Sequence, residues 1–221
     1  MPVAYGRLMA VSDDAQSPEF ARGLSFTDAI YGFAITLLVV NIDVPDASAW
    51  TSLSALVDAG FLGQLFGFTL SFIVIAVFWR VNFRLVRTLS GMTSAVLSAQ
   101  VVSAFFIVLI PFTTQGASDP GTRDVGLPTA LYALNIALAA IAQSSMYFIA
   151  YRQGLTGLPR TNAVARNLVI GAMATPVVFL ASIPVALAYG ANAGRLVWLA
   201  LLVLGPILGR RAPQLPSRAA T

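Results

Sequence analysis

The chain has 221 residues, of which 57% are hydrophobic and only 10% charged, with a formal net charge of +4 and a mean hydropathy of +0.81. A soluble domain carries about 25% charged residues, so lipid must cover much of this surface. Basic loops are ordinary in membrane proteins, and the positive balance therefore does not point to a nucleic-acid partner. All thirteen basic residues are Arg, and Cys and His are absent, which excludes thiol nucleophiles, disulfides, imidazole bases and soft-metal sites.

Residues 1–21 contain Asp13, Asp14 and Glu19 and no apolar signal-peptide core. They are expected to form a cytoplasmic N-terminal segment, with the first membrane helix as the targeting signal. A bilayer core of roughly 30 Å needs about 20 apolar residues per helix. Apolar runs at 24–44, 58–79, 89–112, 127–151, 168–189 and 193–209 meet that need, the last being the shortest. They predict an all-α polytopic protein with six transmembrane helices over residues 22–209 and a cytoplasmic tail over 210–221. Pro111 is expected to end the third helix, and Pro176 and Pro184 to kink or weaken the fifth. With the N-terminus inside, every Arg except Arg123 and Arg195 falls on the inner side. That positive-inside bias places both termini in the cytoplasm.

The first run carries the most information. Asp28 lies near its inner end, where an ionisable group is costly and needs a partner. Arg22 is a candidate, and Thr27 and Asp28 also fit as capping groups at a helix N-terminus. Phe26, Ile30, Phe33, Leu37 and Val40 form a heptad-like seam. Ser25, Ala29, Gly32 and Thr36 form a second stripe of small residues, of the kind that lets another helix approach closely in lipid. An apolar stripe of this sort is ordinary packing more often than a pore lining, and periodicity does not separate the two.

Arg22-x-x-x-Phe26-Thr27-Asp28, followed by Ala29-Ile30, resembles the Arg-x-x-x-Phe-Ser-Asp signature of the transmembrane protein 175 family of lysosomal and bacterial potassium channels. The resemblance continues in Ala34-Ile35-Thr36-Leu37-Leu38-Val39, Ile42-Asp43-Val44-Pro45, Phe78-Trp79, Leu109-Ile110-Pro111-Phe112-Thr113 and Leu131-Tyr132-Ala133-Leu134-Asn135. It implies a bacterial single-repeat channel, a homotetramer in the inner membrane with lipid and potassium as its other partners. It implies no cofactor, potassium being the permeant species. Carried over, Phe33, Leu37 and Val40 face the pore axis and make the constriction, with Thr36 as a candidate hydroxyl ligand. Arg22, Phe26, Thr27 and Asp28 hold the base of that helix through polar contacts, supported by Trp79 and Asn82.

Three positions depart from the family pattern. Thr27 replaces the usual Ser and keeps the hydroxyl. Phe33 replaces a branched aliphatic residue with a larger ring. The His that follows the Trp of the second helix is missing from Trp79-Arg80-Val81-Asn82-Phe83, so a His-dependent response to pH is expected to be absent. The Thr-Val-Gly-Tyr-Gly filter of common potassium channels is also missing, and selectivity must come from side-chain rings or a partly hydrated passage.

Arg80, Arg84 and Arg87 share one helical face and suit anchoring at the inner interface or anionic headgroups. Trp50, Trp79 and Trp198 suit an aromatic belt. Gln100, Ser103, Gln143, Ser144 and Ser145 suit interhelical hydrogen bonds better than a substrate path. No enzyme constellation is present. The rival function is a small secondary transporter using Asp28 as a proton or cation site, and a third is a non-conducting assembly protein.

Overall fold

The computed structural model describes residues 18–201 apart from Arg123, with side-chain burial from residue 21 onward. Every regular element among these residues is helical. They are α1 (Pro18–Val40), α2 (Leu53–Asp58), α3 (Phe61–Val86), α4 (Ser94–Val108), α5 (Ile110–Ser118), α6 (Gly126–Gln153), α7 (Asn162–Tyr189) and α8 (Ala191–Trp198), with a short 3-10 helix at Ala47–Thr51. α1, α3, the α4–α5 pair, α6 and α7 are each long and apolar enough to cross a bilayer. The sixth expected span begins with α8, and its residues 202–209 lie outside the described residues, as do the tail at 210–221 and most of the N-terminal segment.

The sequence boundaries shift for identifiable reasons. Pro111 does not end the third span. A one-residue break at Leu109 lets the chain restart as α5, with Pro111 in the first turn, where its missing N–H breaks no intrahelical bond. The second span runs on through Arg80 and Arg84 to Val86, because Arg ends a hydrophobic run without disfavouring a helix. α7 remains a single helix across Pro176 and Pro184. Side-chain caps mark the starts of α4 and α7: Thr93 Oγ1 accepts from Val96 N (3.4 Å) and Thr161 Oγ1 from Val164 N (3.3 Å).

α6 is the hub. It packs against α4, α5, α7 and α8, and 61% of its membrane window is buried, against 22% for α1. Its alanines explain the closeness: Ala133, Ala137 and Ala139 are fully buried, and small side chains let neighbouring backbones approach. α1 lies on the outside of the bundle against α3, α4 and α5. Tyr132, Phe179 and Trp198 form a ring cluster, with Trp198 centred 5.3 Å from Tyr132 and 5.2 Å from Phe179. Trp198 also donates to Ser182 Oγ (2.9 Å). It is therefore a packing residue rather than a belt residue.

Helix alternation gathers the described arginines other than Arg195 at one end of the bundle. There the α3–α4 turn meets the α6–α7 turn, through Ser90 N to Leu155 O (2.8 Å) and Thr93 Oγ1 to Gln153 Oε1 (2.7 Å). At the opposite end Arg195 donates to Ala117 O and Thr129 Oγ1.

Gly126 marks the tightest helix contact: a Cβ there would fall 2.0 Å from the Ala186 carbonyl oxygen of α7. Gly126→Ala is expected to cost about 1–3 kcal/mol through forced backbone movement, seen as a lower thermal midpoint of the purified protein. Gly116→Ala is the control, because its Cβ would meet Pro128 at an ordinary 3.9 Å. That variant should hold or gain stability.

Candidate pore helix and its anchor

α1 presents two distinct faces. Thr27, Tyr31, Ala34 and Leu38 are buried at 4-3-4 spacing and form the inner face. Phe26, Phe33, Leu37 and Val40 are exposed by 61%, 71%, 46% and 74%, and Ile30 between them is half-buried. The small residues Ser25, Ala29, Gly32 and Thr36 are exposed too, and a Cβ on Gly32 would touch nothing within 4 Å. Seam and small stripe thus lie together on a face the single chain leaves uncovered. Thr36 Oγ1 donates to Phe33 O (2.9 Å) within the helix. Its proton is spent on the backbone, so its oxygen lone pairs are what it offers outward.

The signature residues sit differently from a helix cap. α1 starts at Pro18, a residue suited to a first helical position, so Thr27 and Asp28 lie well inside the helix. Thr27 Oγ1 donates back to Gly23 O (3.0 Å). Asp28 Oδ1 accepts from Trp79 Nε1 of α3 (3.0 Å). Arg22 and Phe26 are exposed, and among the described residues Asp28 is hydrogen-bonded to Trp79 rather than paired with Arg22. The structure therefore joins two residues that the sequence kept apart. Trp79 also stacks on Phe83, with ring centres 5.8 Å apart, and the Arg87 guanidinium lies 5.2 Å from the Phe83 ring centre.

Behind this anchor lies a buried polar seam linking α1, α3, α4 and α6. Gln143 Nε2 donates to Phe78 O (3.0 Å) and, more weakly, to Tyr31 OH (3.4 Å). Gln100 Nε2 donates to Asn82 Oδ1 (3.1 Å). These bonds place Gln100 and Gln143 in interhelical contacts, as their positions suggest. Asn82 is 1% exposed and tied to α4, not to Asp28. Tyr31 was not among the sequence candidates. Its only sequence signal is the inner-face spacing it shares with Thr27, Ala34 and Leu38.

At the other end of α1, Asn41 Nδ2 donates to Pro111 O (2.8 Å). Gln64 clamps Asp43 by accepting from its backbone N (2.9 Å) and donating to Oδ2 (3.2 Å). α1 is thus pinned at mid-helix through Asp28 and just past its far end through Asn41 and Asp43, while its outer face stays open.

Residues 22–111 match the family model described as the endosomal/lysosomal potassium channel TMEM175. Over 120 residues, 53% of its length, the chain is 28% identical to a protein named potassium channel HX13_20290 from Chryseobacterium sp. (strain P1-3), and it spans 58% of that relative. Its fold is similar to the crystal structure of a variant of the potassium channel MtTMEM175 in complex with a nanobody–MBP fusion protein. The TM-score is 0.63 at 16% identity, over 94% of this chain and 98% of that one.

Proposed function

We infer that this chain, a member of the TMEM175 family by its signature, family match and fold, is a potassium channel subunit whose first helix lines a pore between copies of itself. The relatives it matches are named potassium channels, and the assignment of that activity here is ours. One observation carries the pore reading. α1 is anchored at Asp28 and again at Asn41, yet it leaves Phe26, Phe33, Leu37 and Val40 uncovered on one face. Four such helices around an axis bring this face inward and remove it from lipid. The small residues Ser25, Ala29 and Gly32 beside it then give the close helix contact that such a ring needs.

On this reading Phe33, Leu37 and Val40 make apolar rings that gate by dewetting. Thr36 supplies a ring of oxygen acceptors between them. Potassium gives up its water more readily than smaller sodium, so a narrow passage with weak oxygen ligands favours potassium modestly. Asp28 held by Trp79 supports a structural role for the signature over a transported-proton site. The Arg-rich end is taken as cytoplasmic, which puts both termini inside a bacterial inner membrane. No cofactor and no catalytic step enter the proposal.

The test is recording of the purified, reconstituted protein in planar bilayers under potassium/sodium bi-ionic conditions. Discrete openings with a reversal potential favouring potassium are expected. A silent bilayer, with protein shown to be inserted and tetrameric, would count against conduction.

A further inference from the structure

A cavity of about 350 Å³ opens at the end of the bundle opposite the Arg-rich one. Its wall is the first half of α3, where Leu62 and Phe66 are exposed by 43% and 62%, so it opens sideways toward lipid. Gly67 and Gly63 on the same wall differ. A Cβ on Gly67 would strike Ser118 at 2.5 Å, whereas one on Gly63 would touch nothing within 4 Å. Gly67 holds α3 against α5, and Gly63 keeps the cavity open.

Along α3 the lining runs from Gly60 at the helix start to Ser71, roughly 16 Å at the helical rise per residue. That is about half the hydrocarbon thickness of a bilayer, one leaflet deep. The floor carries hydroxyls, but they are bonded to one another. Thr114 Oγ1 lies 2.7 Å from Ser71 Oγ, which lies 3.2 Å from Tyr132 OH. The Trp198 indole, also lining the cavity, is bonded to Ser182. An apolar group entering here strands no polar atom. The mouth is different, because Arg195, Asn192 and Asp124 line it. Arg195 is fixed by Asn192 Oδ1, Thr129 Oγ1 and Ala117 O, and those bonds use only part of its N–H fork.

We propose that this cavity is a binding slot for one acyl chain of a zwitterionic phospholipid from the adjacent leaflet. The chain lies along Gly63, Phe66 and Trp198, and the headgroup phosphate meets Arg195 at the mouth. The neighbouring Asp124 makes the mouth dipolar, which suits a headgroup carrying both signs. The proposal needs the membrane fold only and does not depend on conduction.

Trp198 is the built-in reporter. The full chain is reconstituted in phosphatidylcholine vesicles containing rising fractions of the same lipid with brominated acyl chains. The Trp198 share of the fluorescence is the part missing from Trp198→Phe. Wild type should lose that share at low brominated fractions, and Gly63→Phe, which fills the slot, should abolish the loss. Gly63→Leu gives the same comparison with a smaller side chain if the phenyl variant does not fold. Equal quenching of Trp198 in wild type and in a monodisperse Gly63 variant overturns the proposal. So does a Gly63 variant that dissociates the oligomer while quenching is unchanged, which would make the slot a seat for a neighbouring subunit.

Discussion

Leu37→Ala and Phe33→Ala are expected to raise single-channel conductance several-fold, with the larger gain at Phe33. Both side chains lie on the uncovered face of α1, and Phe33 is the bulkier and the more exposed. Shortening either one widens an apolar ring and lowers its tendency to dewet. Leu38→Ala supplies the contrast. Leu38 is 1% exposed and packed with Tyr31 and Ala34 in the core, so its truncation should cost about 2–5 kcal/mol of stability and leave conductance little changed. Thr36→Val keeps the shape and removes the oxygen, and should shift the bi-ionic reversal potential toward zero. These measurements are paired: single-channel amplitude in bilayers and thermal stability in detergent. A folded Leu37→Ala channel with unchanged conductance would place Leu37 against lipid or a neighbouring helix, and the pore axis would have to move to another face.

The membrane class, the five long helices described here and the apolar stripe of α1 were legible in the sequence because hydrophobic length and spacing are local properties. The faces were not. A membrane helix is apolar nearly all round, so periodicity marks Phe26, Phe33 and Leu37 as a stripe without saying whether it packs inward. Thr27, Tyr31, Ala34 and Leu38 form an equally regular stripe, and only the positions of α3, α4 and α5 make that one the core. Pro111 illustrates the same limit. A proline that stops a helix and one that opens the next turn look alike until the chain beyond it is placed. Asp28 needed a partner on electrostatic grounds, and the nearest candidate in sequence was Arg22. The partner found, Trp79, lies 51 residues away. The hydropathy pattern also hid it, because it put Trp79 at a helix end when α3 continues to Val86.

That pairing sets the second strong prediction. Asp28→Asn and Trp79→Phe should each reduce the recovered oligomer and lower its thermal midpoint, while channels that do assemble keep their reversal potential. A hydrogen bond to an ionised group contributes about 1.5–3 kcal/mol, against about 0.5–1.5 for a neutral one. Asp28→Asn weakens the bond without abolishing it, since an amide oxygen still accepts from the indole. Trp79→Phe removes the donor and leaves the carboxylate without the partner it has in the fold, so it should be the more damaging of the two. In a double-mutant cycle the two changes should be less than additive, because once Trp79→Phe has removed the donor, Asp28→Asn has no indole bond left to weaken. The channel and transporter readings separate here. If Asp28 carries a transported proton or cation, Asp28→Asn leaves a stable assembly and abolishes the dependence of flux on the proton gradient, whereas Trp79→Phe does not reproduce that loss. If Asp28 is an anchor, both variants fail in the same way and at the same stage: assembly falls first, and the ion preference of the surviving pores is unchanged.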